Sequence, residues 1–166
     1  MEKQIDRVWD IVEKVGVCML TTQSSDRLRA RPVEARLKRD TGVIFVVTDI
    51  RSMKAEEIEA APDVGLTFID TAQNAYLSMT GRAALTRDVA KIREAWRKTD
   101  EMWWPGGPAD SNVCLLRIEP VLAELWDGPA SAAVRAFEIV KATVTGKEPN
   151  LGENRKVTVQ LGRLVE

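Results

Sequence analysis

A polar turn between an apolar run and a helical pattern holds the residues with the clearest chemical potential. Residues 43–47 are apolar and mostly β-branched, and Ser52 stands where a helical pattern begins. A serine at this point, the cations of Arg51 and Lys54, and the free N–H groups of a first helical turn all suit an anion. The sequence therefore predicts a phosphate site here, with an ordinary N-cap beside solvated charges as the alternative.

Two arginines on the preceding segment could extend this site. Residues 27–37 alternate with a period of two, which is typical of a β-strand. Arg29 and Arg31 share one face of that strand, and Pro32 predicts an edge position or a bulge because it cannot donate to a ladder. A hairpin turn at residues 38–42 would pair this strand with the apolar run and bring the arginines toward the phosphate turn.

The arginines have two interpretations that spacing alone leaves open. A cation at this end of the strand can contact a bound phosphate, and a guanidinium can do so through two parallel hydrogen bonds. Alternatively, the strand end is solvated and the arginines pair with Glu34 or Asp49.

Tryptophans are further candidates, because an aromatic side chain can cover a planar ring. Trp103 and Trp104 are adjacent in a loop rich in Pro and Gly over residues 101–112, and Trp126 ends an apolar run. Packing in the core or at an interface is the alternative for each of them.

The composition excludes several kinds of site. The chain has no histidine, which excludes Ser-His-Asp and Cys-His catalysis, His-ligated haem and ordinary zinc sites. Its two cysteines, Cys18 and Cys114, lie in apolar runs that are typical of buried thiols. The carboxylate pairs Glu56–Glu57 and Asp100–Glu101 show no spacing for acid–base chemistry, and we interpret them as solvated faces. An organic cofactor is therefore the expected source of any chemistry.

Charge and hydropathy indicate neither a nucleic-acid nor a membrane partner. The formal net charge is −1, with 45% hydrophobic and 30% charged residues, which is ordinary for a globular protein. No apolar run approaches the roughly 18–20 residues of a membrane span, and the charged N-terminus lacks an apolar signal core. We expect a cytoplasmic protein.

The remaining patterns predict the elements that position these residues. Apolar residues at helical spacing predict helices over residues 3–15 and 131–143, and shorter ones after Ser52 and from Asp88 to about Thr99. Strands are predicted over residues 17–22, 27–37, 43–47, 63–70, 75–86, 113–118 and 121–126, with a short one at 156–160. Gly81, inside the longest of these, predicts a bulge or a close backbone approach.

This order of elements predicts a mainly β fold. Short strands separated by turns, with helices outside the strand block, favour a closed antiparallel sheet with helices at its ends. Closure would also remove exposed sheet edges. We expect a single domain over residues 1–166, with the barrel at about 16–128 and a C-terminal helix and tail at 129–166.

Several motifs taken together resemble the FMN-binding split-barrel proteins related to pyridoxamine 5′-phosphate oxidase, most closely the general stress protein branch. In chain order they are Arg31-Pro32-Val33, Val47-Thr48-Asp49 with Ser52 and Lys54, Met79 to Ala83, Trp104 to Pro108, and Ala123 to Gly128. The resemblance covers roughly residues 5–145. It implies a six-stranded antiparallel split barrel and a homodimer with FMN at the subunit interface, with FAD and the deazaflavin F420 as the alternative cofactors.

The resemblance also implies roles for individual residues. Thr48, Ser52 and Lys54 match the turn that holds the phosphate end of FMN in the oxidases. Met53 stands where the oxidases have an arginine, and Arg51 could supply the missing positive charge. Arg31 matches their flavin-contacting strand arginine, Trp126 matches a tryptophan that reaches the flavin from the partner subunit, and Tyr76 falls where they have a flavin-contacting glutamine. The expected cofactor-binding residues are Arg29, Arg31, Pro32, Val33, Val47, Thr48, Asp49, Arg51, Ser52, Lys54, Tyr76, Trp104 and Trp126.

The resemblance supports a reaction less well than a cofactor. The tail over residues 151–156 does not match the segment that grips the vitamin phosphate in the oxidases, so conversion of pyridoxine phosphate is not expected, and no catalytic residue is assigned. A flavin-dependent oxidoreductase of unknown substrate is the first hypothesis. The alternatives are a flavin-binding stress protein without turnover, acting as sensor, carrier or scavenger, and a dimeric structural module without cofactor.

Overall fold

The computed structural model describes residues 2–127, 132–146 and 155–161. It contains four α-helices in these ranges: α1 (Glu2–Val15), α2 (Met53–Ala60), α3 (Val89–Ala95) and α4 (Ala132–Thr145). The strands are β1 (Val17–Ser24), β2 (Arg27–Glu34), β3 (Arg36–Lys38), β4 (Val43–Asp49), β5 (Asp63–Asp70), β6 (Ala75–Thr86), β7 (Val113–Asp127) and β8 (Arg155–Gln160).

The strands form one antiparallel sheet in the order β2-β1-β5-β6-β7-β4-β3. The long strand β7 organises it, because β6 pairs along most of its length while β4 pairs with its first half and β8 with its second half. The two ends of the path, β2 and β3, follow each other in the chain on either side of Ala35. No ladder joins them within the described strands, so the sheet is not closed. The predicted closure of the sheet is therefore wrong, whereas the predicted mainly β split barrel is confirmed.

Alternation along the strands places one face of the sheet in the core. Leu20, Leu66, Phe68 and Leu77 are buried, while their chain neighbours on the other face are more exposed. Helix α1 packs against the core face of the sheet through Val8, Ile11, Val12 and Trp9. Each such buried side chain contributes about 1.5–3 kcal/mol to folding.

The ends of several elements confirm the turn signals of the sequence. Gly16 has a φ of 68°, and its N–H donates to the carbonyl of Val12 at 3.0 Å, which ends α1. Gly42 has a φ of 67° in the hairpin between β3 and β4. The carboxylate of Asp88 accepts hydrogen bonds from two N–H groups of the first turn of α3.

Other boundaries differ from the sequence predictions. The predicted strand over 27–37 is two strands separated by Ala35. The break predicted at residues 119–120 is absent, because β7 continues through Pro120. A register shift between Thr80 and Gly81 of β6 accommodates that proline. Helix α3 ends at Ala95, and residues 98–102 form a 3₁₀ turn instead.

Helix α4 and strand β8 confirm the predicted C-terminal helix and short strand. Residues 128–131 and most of the tail from residue 147 lie outside the described residues. The longest helices within those residues, α1 and α4, have 14 residues each, and none of the helices there is long and apolar enough to cross a membrane.

Candidate functional site

The turn between β4 and α2 has the predicted shape but leaves its serine unused. Ser52 occupies the N-cap position of α2 with extended backbone angles, yet its hydroxyl makes no capping hydrogen bond. Its Oγ atom is buried and has no partner among the described residues. A buried hydroxyl without a partner costs about 1–3 kcal/mol, so this atom is a donor that an incoming ligand can satisfy.

Lys54 is a second unsatisfied group in the first turn of α2. Its side chain is half-buried, and no carboxylate of the described chain lies within ion-pair distance of its ammonium. Burial lowers the pKa of Lys54, and the positive charge of Arg31 lowers it further. A bound anion would oppose both effects, since it restores a counter-charge to the ammonium.

The two arginines of β2 lie beside this turn and are held by Glu57. The Nη2 atom of Arg31 donates to Oε2 of Glu57 at 2.6 Å, and Nη1 of Arg29 approaches Oε1 of Glu57 at 3.4 Å. Thr22 of β1 donates its hydroxyl to the same Oε2 at 2.5 Å and accepts from Nη1 of Arg31. The sequence alternatives, pairing with Glu34 or Asp49, are therefore wrong for both arginines.

Glu57 is the site residue that the sequence interpretation missed. It was predicted to be solvated, yet it is only 8% exposed. Burial alone would raise the pKa of Glu57, but the hydrogen bonds from Thr22 and Arg31 outweigh burial and hold that pKa below its ordinary value. Helical spacing could have found it, because Lys54, Glu57 and Ile58 lie at i, i+3 and i+4 on one face of α2.

Arg51 and Asp49 form a separate pair at the outer side of the turn. The guanidinium of Arg51 donates to the Asp49 carboxylate at 3.0 and 2.6 Å, and this lowers the pKa of Asp49 to about 2 against the opposing effect of burial. The side chain of Trp104 also contributes to the lowered pKa of Asp49. Arg51 is thus paired with Asp49 and mostly exposed, so in this conformation it does not replace the arginine that is missing at position 53. The sulfur of Met53 itself accepts from Arg29 at 3.2 Å.

Four further members of the predicted set, Pro32, Val33, Val47 and Thr48, lie on β2 and β4. Val33 and Thr48 are buried, and Val47 is half-buried against a cluster that includes Trp96 and Trp104. Pro32 is exposed on β2, which is an edge strand of the sheet, as its missing N–H predicts.

The tryptophans at 103 and 104 are positioned by a buried ion pair. Arg36 of β3 binds both carboxylate oxygens of Asp100, which is 4% exposed and not solvated as predicted. The 3₁₀ turn that contains Asp100 leads directly into Trp103, which is largely exposed, and Trp104. The rings of Trp96 and Trp104 pack with centroids 6.2 Å apart.

Tyr76 and Trp126 are not brought to the phosphate turn within one chain. They pair across β6 and β7, beside Ile69 of β5. Asp49, at the turn, pairs with Val113 of β7, which is 13 positions along β7 from Trp126. At about 3.4 Å per residue, Trp126 and its partner Tyr76 lie roughly 40 Å along the strand from the turn.

The face of the sheet that carries Tyr76 is unusually apolar for a surface. Val17 and Met19 of β1, Ile69 of β5 and Tyr76 of β6 project from it, with exposed fractions of 54%, 39%, 49% and 42%. Register and alternation place all four on the side opposite the core. We call these four residues the outer apolar row.

A groove of about 670 Å³ is lined by residues of β1, β5 and β6. Its lining includes Thr21, Thr22 and Gln23 of β1, Gly65 of β5 and Thr80 of β6. This volume is within the range of small-molecule sites. Thr22 links the groove to the arginines of β2, because it lines the groove and donates to Glu57.

The donor set fits a phosphate monoester. Arg29, Arg31 and Lys54 carry three positive charges and Glu57 carries one negative charge, so 3 − 1 leaves +2 at the turn. A phosphate monoester dianion carries about −2 at neutral pH. No group of three or more His, Cys, Asp or Glu side chains within the described residues could hold a metal ion.

Comparison with known proteins agrees with this architecture. The family model for pyridoxamine 5′-phosphate oxidase-like proteins matches residues 3–150. Among solved structures, a general stress protein 26 of Jannaschia sp. CCS1 is 26% identical, with a TM-score of 0.78 over 96% of this chain and 99% of that one. No curated protein matches the sequence.

Two more distant structures share the fold at lower identity. The general stress FMN/FAD binding protein of Xanthomonas citri is 21% identical, with a TM-score of 0.69 over 76% of this chain and 90% of its own. The pyridoxamine 5′-phosphate oxidase-related, FMN binding protein of Nostoc punctiforme PCC 73102 is 19% identical, with a TM-score of 0.56 over 75% and 82% of the two chains. Because the family model covers most of the sequence, this chain belongs to the pyridoxamine 5′-phosphate oxidase-like family.

Proposed function

We propose that the protein binds FMN and uses it as a flavin-dependent oxidoreductase. The observation that carries the proposal is the pair of unsatisfied donors at the start of α2, the buried hydroxyl of Ser52 and the ammonium of Lys54. Lys54 lies close enough to Arg31 for that charge to lower its pKa, and the free N–H groups of the first helical turn add further donors. A phosphate group would satisfy all of them at once.

The charge of the turn favours FMN over the alternative flavins. The turn carries +2, which matches the single phosphate monoester of FMN. FAD spreads its charge over two linked phosphates, and the deazaflavin F420 presents a phosphodiester with one charge. The names of relatives support a flavin, since one is described as FMN/FAD binding and another as FMN binding.

The residues of this chain would bind and orient the cofactor. Ser52 and Lys54 would hold its phosphate, and Arg31 would place a fixed positive charge beside it. FMN itself would supply hydride-transfer chemistry. The groove beside Thr22 offers room for a ring system next to the cation cluster.

A second copy of the chain would complete the site. Tyr76 and Trp126 carry expected flavin contacts but lie away from the phosphate turn of their own chain, as the strand register implies. The outer apolar row, to which Tyr76 belongs, is exposed in one chain. A homodimer that covers this row would bring Trp126 of one copy toward the turn of the other.

A flavin-binding stress protein without turnover is the second candidate function. It is favoured by the state of the acidic groups around the turn. Glu57 is engaged by Arg31 and Thr22, and Asp49 is engaged by Arg51. Neither carboxylate is therefore available as it stands to transfer a proton to a substrate.

The test is retention of flavin by the purified protein. FMN, FAD and F420 are added separately, free cofactor is removed by gel filtration, and the absorbance spectrum of the protein fraction is recorded. We expect FMN to co-elute in preference to the other two. Reduction of the bound flavin by NADH or NADPH, followed by reoxidation, would favour the enzyme over the carrier. A colourless protein that takes up no flavin would overturn the proposal and leave a structural dimer.

A further inference from the structure

We propose that Glu57 is a positioning residue for this anion site, which holds the arginines of β2 beside Lys54 before any phosphate arrives. The inference rests on the proposed function, because it concerns how the same site recognises its ligand. A buried carboxylate thus helps to bind a negatively charged group, because it holds in place the cations that contact that group.

The hydrogen bonds around Glu57 fix the orientation of Arg31. The carboxylate accepts from Arg31 at 2.6 Å and from the Thr22 hydroxyl at 2.5 Å, while Arg31 donates its other terminal nitrogen to Thr22. These three side chains close a ring of hydrogen bonds in which each member contacts the other two. Thr22 is buried on β1, so the ring is anchored to the core face of the sheet.

Glu57 also offsets the repulsion among the cations. Arg31 acts on Lys54 to lower its pKa, which means that the two positive charges repel each other across the turn. Glu57 acts in the opposite direction on Lys54 and contacts Arg31 and Arg29 directly. Without this negative charge, the arginines would be free to swing toward solvent.

A site whose donors are fixed in advance binds more tightly than one that must order them. Ordering a long charged side chain costs free energy at the moment of binding. In this turn, Glu57 has already restrained Arg31 when the ligand arrives, and its single charge still leaves the turn at +2. The carboxylate therefore favours binding of the phosphate group, although it cancels one of the three positive charges of the turn.

The experiment compares FMN with riboflavin, which has the same ring but no phosphate. Glu57→Gln keeps the shape of the side chain and removes its charge, and Glu56→Gln, on the exposed side of α2, is the matched control. Dissociation constants for both ligands are measured by quenching of flavin fluorescence, and Tm is followed by circular dichroism. The informative quantity is the ratio of the riboflavin Kd to the FMN Kd.

We expect Glu57→Gln to lower this ratio about tenfold, mostly through weaker FMN binding, while riboflavin binding and Glu56→Gln stay within about twofold of the wild type. Thr22→Val, which removes the hydroxyl that anchors the ring, should lower the ratio in the same direction. A purely structural role would instead lower Tm and weaken both ligands alike, which would overturn the inference.

Two other outcomes separate this inference from the proposed function. If the wild type binds FMN and Glu57→Gln keeps the ratio unchanged or raises it, the positioning role is wrong while the flavin site stands. If the wild type binds neither FMN nor riboflavin, the proposed function is wrong and the role of Glu57 falls with it.

Discussion

Asp100 binds the guanidinium of Arg36 with both carboxylate oxygens, at 2.7 and 2.6 Å, across 64 residues of sequence. Arg36 is 7% exposed, so both charges of the pair are buried. Arg36 also donates to the carbonyl of Ala95, and the Asp100 carboxylate accepts from the N–H of Arg97. The pair thus ties edge strand β3 to the end of α3 and to the 3₁₀ turn that precedes the tryptophans.

Removing one partner of this pair should be costly. Asp100→Asn leaves the buried Arg36 charge with only the part-exposed carboxylate of Glu34 as a counter-ion, and we expect a loss of about 3 kcal/mol in the free energy of unfolding. The loss is measured by urea denaturation. An apolar double variant, Arg36→Met with Asp100→Leu, is the control and should recover much of that stability, because no charge is left buried. A single variant as stable as the wild type would show that the pair is not buried in solution.

The pH dependence of stability provides a second measure of the same pair. Burial alone would raise the pKa of Asp100, but the hydrogen bonds from Arg36 and Arg97 outweigh burial and hold that pKa below its unfolded value of about 3.9. The contribution of the pair is therefore full above that pH and is lost as the pH falls through the folded pKa. Asp100→Asn should flatten the acid limb of the stability profile relative to the wild type.

Much of the fold could be predicted because its signals are local. Period-two alternation, glycines in turns and the apolar stripe of α1 each depend on neighbouring residues only, and they identified most elements. The continuity of β7 through Pro120 could not be found this way. It depends on a bulge at Val121 of β7, opposite Thr80 and Gly81 of β6, about forty positions earlier in the chain.

The same distinction holds for the candidate site. Local patterns and family motifs predicted Ser52, Lys54 and the arginines of β2, but they did not predict the carboxylate that contacts those arginines. Glu57 and Asp100 looked like solvated carboxylates, because their burial arises from contacts with β1, β2 and β3. Long-range pairing of charges carries no periodic signal, so sequence reasoning assigned each carboxylate its commonest environment.

Gly81 is predicted to be intolerant of any side chain. A Cβ atom built on Gly81 would lie 2.6 Å from the carbonyl oxygen of Glu119 and 3.0 Å from the Cα atom of Pro120. Because both are backbone atoms, the strands must move apart, and we expect Gly81→Ala to destabilise the protein by about 1–3 kcal/mol. Denaturant unfolding measures the change.

Gly65 on the adjacent strand is the matched control for this substitution. A Cβ atom there would meet Thr21 at 3.6 Å, which is ordinary contact. Gly65→Ala should therefore be neutral or slightly stabilising, since alanine loses less conformational entropy on folding. Equal effects at the two glycines would contradict the close approach at the bulge.

The phosphate turn is tested by truncating its two unsatisfied donors. Ser52→Ala combined with Lys54→Ala should weaken FMN binding, because each lost charge-assisted contact is worth about 1.5–3 kcal/mol. Fluorescence quenching measures the Kd, and Lys91→Ala on the exposed side of α3 controls for the loss of one positive charge. An unchanged FMN Kd in the double variant would remove the turn from the proposed site.

The stability of this double variant should move in the opposite direction from its affinity. Ser52 buries a hydroxyl without a partner, and Lys54 is a half-buried cation with a lowered pKa. Removing both groups relieves an uncompensated cost in the flavin-free protein. We expect a Tm equal to or above that of the wild type without FMN, and a smaller increase in Tm when FMN is added.

The outer apolar row makes the oligomeric state testable together with the cofactor. Ile69 lies at its centre, is 49% exposed in one chain and stands opposite Tyr76. In a homodimer that covers this row, Ile69→Asp places an unpaired charge in the interface, which should shift the protein to a monomer in sedimentation velocity. Val89→Asp is the control, because Val89 is an exposed apolar residue at the start of α3.

FMN binding should fall with the dimer, because Tyr76 and Trp126 can reach the phosphate turn only from a second copy in the proposed arrangement. Ile69→Asp lies outside the turn itself, so weaker FMN binding in this variant would report the missing copy. A wild type that sediments as a monomer and still binds FMN would contradict the shared site. A monomeric Ile69→Asp with unchanged FMN affinity would do the same, since the turn, the arginines of β2 and the groove would then suffice within one chain.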